Sequence, residues 1–250
     1  MTTTEKWWTS KFNYKDNDIN SFHILLLFFS YFGINKITSA FRLGYTISHN
    51  LDTAKAYKLY LFTEIFSSLF FLAVLLILMF KYELELFSRP LKLLETTDLN
   101  WGNWICNFIY WVVFMMAVSK LGGLFLQTFP PVSGGDTLNS QILNDTFKYT
   151  PVILQGLLTV LIAPIIEEIV FRGLFLFSKE NTNWKRLITL LIFSSLLFGF
   201  SHAVTDIQSG LYYSFMGLCF GFITYYTNSL YPAITLHIIN NAVAYYNTLN

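Results

Sequence analysis

Long apolar runs alternate with short polar segments along most of the chain. Seven of these runs have about the 20 residues that a helix needs to cross the roughly 30 Å hydrocarbon core of a bilayer. They cover residues 22–39, 59–80, 103–126, 152–177, 185–203, 210–227 and 231–248. The pattern predicts an all-α fold, a polytopic transmembrane helical bundle of about seven or eight spans.

The polar segments between the runs predict the topology. Residues 81–100 alternate charged residues with leucine, which is typical of a helix lying on the membrane surface. If this segment were instead an eighth span, the membrane orientation of the C-terminal half would be reversed. Lys and Arg are concentrated in the segments that lie on the same side as the N-terminus, so we predict a cytoplasmic N-terminus and an external C-terminus. The first run lacks a small-residue cleavage site, so we expect a retained helix and not a removed signal peptide.

Composition supports a membrane protein independently of the runs. Hydrophobic residues make up 54% of the 250 and the mean hydropathy is +0.49. Charged residues make up only 12%, about half of the ~25% that is usual in soluble domains. The net charge of +1 says nothing about nucleic acid, but the lack of a basic run predicts no nucleic-acid partner. Cys106 and Cys219 show no pairing or metal-ligand spacing and are interpreted as core or lipid-facing thiols.

We interpret the chain as a single membrane domain, residues 1–250, with no internal repeat. Residues 1–149 form plain N-terminal helices, whereas the unusual polar residues fall within residues 150–250. A transporter would show inverted repeats with broken helices in both halves, so this asymmetry argues against one. Two smaller expectations concern packing: Glu64 extends to the interface against Lys58, and Gly217-xxx-Gly221 lets two helices pack closely.

Three charged residues interrupt the apolar run 152–177. A charge at bilayer depth costs roughly 3 kcal/mol, so such residues usually face a protein interior and mark function. Glu168 and Arg172 are four residues apart, share a helix face and can neutralise each other. Glu167 lies about 100° around the helix. It is therefore free to face a cavity, where it can accept and return a proton, as the activation of water requires.

Two of the four histidines lie in the last apolar runs, each with a partner one helical turn away. Phe198 precedes His202 by four residues, and His237 precedes Asn241 by four, so each pair projects from one face. A single buried histidine is more often a hydrogen-bonded packing residue. Two of them together with the glutamate pair favour chemistry. Asn240 could supply the amide in place of Asn241 if the helix is locally irregular.

The motifs Glu167-Glu168-xxx-Arg172, Phe198-xxx-His202 and His237-xxx-Asn241, in this order on three apolar helices, resemble those of a known family. It is the CAAX protease and bacteriocin-processing family, also called the Abi family, and the resemblance covers residues 150–250. It implies an intramembrane endopeptidase of helical architecture with its active site in a cavity open to water and shielded from lipid.

The resemblance also implies a role for each motif residue. Glu167 would be the general base that activates water, helped by His202. His237 and Asn241 would donate hydrogen bonds to the oxyanion of the tetrahedral intermediate. Supporting roles would fall to Glu168, Arg172 and Phe198, the last by packing beside His202 and restricting its orientation.

A metal-dependent reaction is the alternative mechanism. Glu167, His202 and His237 could supply the carboxylate and two imidazoles of a hydrolytic zinc site. The metalloprotease signature HExxH is absent. We therefore favour a reaction without metal or other cofactor.

The substrate is predicted less directly. Family members include enzymes that trim prenylated proteins and bacterial proteins associated with bacteriocins, immunity and pheromone maturation. The modest length, the short loops and the use of Asn and Lys, as in proteins encoded by low-GC genomes, favour a bacterial plasma-membrane protein. We expect membrane lipids and a peptide or membrane-protein substrate as partners. A catalytically silent immunity or scaffold protein and a CAAX prenyl-protein endopeptidase are the alternatives.

Overall fold

All regular secondary structure that a computed structural model describes in this protein is helical. The structure describes residues 21–82, 101–130, 144, 148–176, 184–202, 206–227 and 229–249. Its long helices are α1 (Ser21–Ser48), α2 (Thr53–Tyr82), α3 (Trp101–Thr128), α4 (Val152–Leu176), α5 (Trp184–His202), α6 (Ile207–Thr227) and α7 (Tyr231–Leu249). Each of the seven predicted apolar runs falls largely within one of them.

The prediction of a helical membrane bundle is confirmed. Within the described ranges, three helical segments are long and apolar enough to span a bilayer: Thr53–Val74, Phe108–Thr128 and Val152–Leu176. The number of spans stays a prediction. The proposed surface helix at 81–100 lies almost entirely outside the described residues, as does most of the stretch between α3 and α4.

Helix α4 lies at the centre of the packing. The α1–α2 hairpin packs on one part of it, α7 on another, and the α5–α6 hairpin also contacts its C-terminal half, while α3 covers α6 and α7. One apolar core joins α4 to α2 and α5 through Phe71, Ile166, Val170, Phe171 and Phe198. A second joins α3, α6 and α7 and includes Trp111, Met115, Met216, Phe220 and Leu236.

Glycines bring α5 and α6 into close contact. A Cβ on Gly199 would overlap Ser214 Oγ and the carbonyl oxygen of Gly210 on α6. A Cβ on Gly217 would lie 3.2 Å from the Ser195 Cα of α5 and 3.0 Å from Arg172 Nη2. A Cβ on Gly221 would overlap the Leu191 side chain. The predicted close-packing role of Gly217 and Gly221 is confirmed.

Helix α4 is not a regular α-helix. Two π-helical segments, Leu157–Ile162 and Ile169–Gly173, flank the α-helical turns of Ala163–Glu168. Pro164 lies in the first turn of that α-helical part, where its ring would clash with the carbonyl four residues earlier in a continuous α-helix. The wider π turn before it relieves this clash. Such π segments occur frequently at functional sites.

The α1–α2 hairpin corrects the prediction for Glu64. This carboxylate accepts a hydrogen bond from Arg42 Nη1 of α1 at 3.2 Å, and Arg42 also lies 4.5 Å above the Tyr60 ring. Both charged side chains are about one quarter exposed, at 24% each. Glu64 therefore pairs with the neighbouring helix and not with Lys58, because the hairpin brings Arg42, 22 residues earlier, opposite it.

Candidate active site

The three charged residues of α4 divide into a buried pair, Glu168 and Arg172, and one carboxylate, Glu167, that faces histidines. Arg172 Nη1 donates to Glu168 Oε1 at 2.9 Å, and neither side chain is exposed at all. The predicted pairing of Glu168 with Arg172 is thus present. Because both charges are removed from solvent together, each depends on the other for compensation.

The guanidinium of Arg172 also has partners on two other helices. Nη2 donates to the carbonyl oxygen of Gly217 on α6 at 3.0 Å. The Phe198 ring of α5 lies 4.4 Å from the guanidinium carbon, a cation–π contact. Arg172 therefore joins α4, α5 and α6 around a single charge.

Glu167 meets both predicted histidines. Its Oε1 lies 3.6 Å from His202 Nε2, and its Oε2 lies 3.6 Å from His237 Nε2. The side chain is 13% exposed, against 0% for Glu168. These distances exceed those of a direct hydrogen bond and are ones that a single water molecule can bridge. Three residues from three helices, named from the sequence, converge at this point.

The other nitrogen of each ring fixes how the two imidazoles are oriented. His202 Nδ1 lies 2.8 Å from the carbonyl oxygen of Phe198, which can only accept, so this nitrogen carries a proton. His237 Nδ1 lies 2.8 Å from Glu168 Oε1, a carboxylate already paired with Arg172, and also carries the proton. Both assignments are inferred from the acceptors. Both Nε2 atoms consequently face Glu167.

Aromatic rings on α5 and α6 hold the imidazoles in place. His202 packs against Phe198, with ring centroids 4.5 Å apart, as the sequence predicted. It also stacks on Tyr213 at 5.0 Å, and His237 stacks on Phe220 at 4.5 Å. Sequence reasoning missed Tyr213 and Phe220, because α6 carries no polar motif that would draw attention to it.

Asn241 lies on the face of α7 toward α4, but one of its two side-chain amide protons already forms a hydrogen bond. Its Nδ2 donates to the carbonyl oxygen of Thr159, in the first π segment, at 3.0 Å. Asn240 Nδ2 approaches Asn241 Oδ1 at 3.4 Å. Helix α7 is α-helical throughout, so the local irregularity that would exchange the two amides does not occur. The role of Asn241 toward an oxyanion stays a prediction.

Sequence reasoning also missed a buried carboxylate four residues after His202 in the chain. Asp206 is 3% exposed and precedes α6. Its Oδ1 accepts from the Gln208 N–H at 3.2 Å, and its Oδ2 accepts from the Ser209 hydroxyl. Asp206 therefore caps α6, and the spacing Asp206-x-x-Ser209 at the start of an apolar run was the available signal.

The described side chains add no support to the metal alternative. Within the described part of the chain, no group of three or more His, Cys, Asp or Glu side chains has a geometry that could hold a metal ion. The metal-free reaction stays a prediction.

The C-terminal part of the chain matches a family of known proteins. Residues 149–243 match the model of the family described as Type II CAAX prenyl endopeptidase Rce1-like. No solved structure matches the chain significantly.

Two curated proteins are similar to the chain. One is "Putative membrane peptidase YdiL" of Bacillus subtilis (strain 168), 31% identical over 111 residues, which cover 43% of this chain and 42% of that protein. The other is "UPF0177 protein YvdC" of Lactococcus lactis subsp. lactis (strain IL1403), 27% identical over 182 residues, 72% of this chain and 65% of that protein. The chain thus spans less than two thirds of the length of either relative.

The matched segment contains all three sequence motifs and every residue of the site described above from Thr159 to Asn241. The family resemblance indicated by these motifs is therefore confirmed, because residues 149–243 match the Rce1-like family model and both relatives are similar to this chain.

Proposed function

We propose that the protein is an intramembrane endopeptidase that hydrolyses a peptide bond in a membrane-associated peptide or protein through a water activated by Glu167. The observation that carries the proposal is the approach of the Glu167 carboxylate to the Nε2 atoms of His202 and His237, at 3.6 Å each, among apolar helices. At the level of the family, the Rce1-like match and a relative named as a membrane peptidase support a membrane protease.

The acceptors around Glu167 suit a water molecule. Glu167 Oε2 is buried and has no hydrogen-bond partner in the described part of the chain. In a neutral imidazole whose Nδ1 is protonated, Nε2 is an acceptor. The Glu167 carboxylate and the Nε2 of a neutral His202 can therefore each attract one proton of the same water, which orients its oxygen lone pair for attack and favours its deprotonation.

In the proposed reaction Glu167 takes one proton from the water as the water oxygen bonds to the carbonyl carbon of the substrate. The electron pair of the C=O double bond moves to the oxygen, giving a tetrahedral oxyanion. When this intermediate collapses, the C–N bond breaks, and the proton held by Glu167 passes to the leaving nitrogen. The products are a carboxylic acid and an amine, and Glu167 returns to its starting state.

The oxyanion would receive hydrogen bonds from His237 and Asn241. His237 already donates its Nδ1 proton to Glu168, so its Nε2 can donate only when the ring is an imidazolium. In the proposed reaction His237 carries this second proton from the start and keeps it throughout. A charged donor forms a stronger hydrogen bond than a neutral one. The buried Glu168 carboxylate, which contacts the ring directly, stabilises that charge. In this proposal Glu168 holds His237 in place and is compensated by Arg172.

The family description supplies the second candidate, a CAAX prenyl-protein endopeptidase. Both candidates need the same hydrolytic step and differ only in the substrate. A catalytically silent immunity or scaffold protein would have no use for this step. The multi-pass topology, the bacterial plasma membrane and the cytoplasmic N-terminus stay predictions, as does the peptide or membrane-protein substrate.

The test is hydrolysis of a panel of fluorogenic peptides, farnesylated and unlipidated, by the detergent-purified protein. Glu167→Gln should lower kcat by about 10² to 10⁴, the usual contribution of a general base. Glu64→Gln is the matched control, because this carboxylate also lies in an apolar helix but is 24% exposed and pairs with Arg42. It should hydrolyse as wild type does.

Each outcome of this assay decides between the candidates. Preference for unlipidated peptides supports the proposal, and preference for a farnesylated CAAX peptide would replace it with the second candidate. Hydrolysis that survives Glu167→Gln would overturn the mechanism. A wild type that hydrolyses none of the panel would favour the silent immunity or scaffold protein.

A further inference from the structure

The carbonyl oxygen of Thr159 lacks the helical donors that it would have elsewhere. In a regular α-helix it would accept the N–H of Ala163, but in the first π segment that N–H donates to Leu158 O. The next N–H along the chain would belong to residue 164, which is proline and has none. Thr159 O is therefore available to a donor from outside the helix.

That donor is the Asn241 side chain. Its Nδ2 lies 3.0 Å from Thr159 O, although the two residues are 82 positions apart. Because a carbonyl can only accept, the contact decides which end of the amide is nitrogen. The amide group is planar, so one fixed N–H and the contact of Oδ1 with Asn240 together determine the direction of the second N–H.

We propose that Pro164 is a positioning residue for Asn241. Because Pro164 has no N–H to donate to the Thr159 carbonyl oxygen, that oxygen accepts one Nδ2 proton of Asn241. The second Nδ2 proton can then be donated to the oxyanion. The use of the second proton rests on the proposed function, whereas the orientation of the amide is independent of it. Pro164 is buried and contacts none of the reacting atoms in this scheme, so it acts through Asn241 alone.

The substitution that tests this is Pro164→Ala. Alanine restores an N–H at the position from which Thr159 O can be reached in the π register, so it competes with Asn241 for the same oxygen. Pro232→Ala is the matched control. Pro232 is the second residue of α7, where the N–H of any residue lacks a helical partner, so removing this proline frees no carbonyl for a side chain.

The first measurement is hydrogen exchange of the Asn241 side chain by NMR, on protein labelled with ¹⁵N-asparagine in detergent. Loss of a signal in Asn241→Ala identifies the resonance. In wild type, one Nδ2 proton should exchange at least tenfold more slowly than the other. The difference should disappear in Pro164→Ala and persist in Pro232→Ala. Equal exchange of both protons in wild type overturns the proposal, whether or not any variant folds.

The second measurement is a kinetic double-mutant cycle with the hydrolysed peptide. Asn241→Ala should lower kcat by about 10² to 10³, as loss of one oxyanion donor does. Pro164→Ala should lower kcat by about tenfold with KM unchanged, because a displaced group reduces rate more than binding. In the Asn241→Ala background it should have no further effect. Independent effects, multiplying in the double variant, would overturn the role of Pro164.

The two measurements separate this inference from the proposed function. A wild type without hydrolysis, or one whose rate survives Glu167→Gln, refutes the protease while the exchange data still decide whether Pro164 orients Asn241. Hydrolysis that depends on Glu167 but not on Pro164, with unchanged exchange in Pro164→Ala, refutes the inference and leaves the protease in place.

Discussion

Arg172→Met is expected to destabilise the protein strongly. The substitution leaves Glu168 with no compensating cation at a position that is 0% exposed. It also removes the hydrogen bond to Gly217 and the cation–π contact with Phe198. Breaking a buried pair by removing one partner typically costs about 3 to 5 kcal/mol. In a chain of this size, about 4 kcal/mol corresponds to a fall of about 8 to 16 °C in Tm.

The double variant Arg172→Met, Glu168→Gln separates the stability of the pair from its part in the site. Replacing both charges removes the uncompensated carboxylate. When both members of a buried ion pair are replaced by uncharged residues, the free energy of unfolding often changes little. Tm should therefore recover most of the loss. Peptide hydrolysis should not recover, because Glu168 is the carboxylate that contacts His237 Nδ1 at 2.8 Å.

The assay is thermal unfolding of the detergent-purified variants, followed by intrinsic fluorescence, in parallel with hydrolysis. Wild-type stability in Arg172→Met would refute the claim that the charge compensates Glu168. A double variant no more stable than the single one would show that packing, and not charge, dominates. Full hydrolysis by the double variant would remove Glu168 from the site.

Three further outcomes are expected. Gly199→Ala should lower the stability by about 1 to 3 kcal/mol because its Cβ would overlap α6, while Gly44→Ala, with no atom within 4 Å, should not; equal Tm values would contradict this packing. Arg42→Met should cost about 1 kcal/mol or less, since its pair with Glu64 is one quarter exposed, and a failure to fold would show otherwise. A zinc chelator should leave hydrolysis unchanged, and loss restored by added zinc would reverse the metal-free assignment.

The convergence of Glu167, His202 and His237 could be predicted from the sequence because of the environment of their helices. In an apolar run, a polar side chain has few partners other than the polar side chains of neighbouring runs. The four-residue spacings place the residues of each motif on one helix face, and the resemblance to a known family implied that the three motifs share one site. The Glu168–Arg172 pair could be predicted from the spacing alone, since residues four apart lie on the same face of one helix.

Other contacts could not be predicted, because they depend on geometry that a 3.6-residue period does not contain. Pro164 signals a missing N–H, but only the π turn decides that Thr159 is the carbonyl left free. Arg42 and Glu64 meet because of the register of the α1–α2 hairpin, which neither apolar run specifies. The Gly217 carbonyl has no side chain to reveal that it accepts from Arg172.

The Glu168–Arg172 pair has a consequence for how the protein is made. His237 follows Glu168 by 69 residues, so at about 5 to 20 residues per second it is synthesised roughly 3 to 14 seconds later. During that interval α4 must be accommodated without the ring that later contacts its carboxylate. Because Glu168 and Arg172 lie one turn apart on the same helix, they can neutralise each other before any partner helix exists. The charges that organise the finished site thus arrive in the membrane already paired.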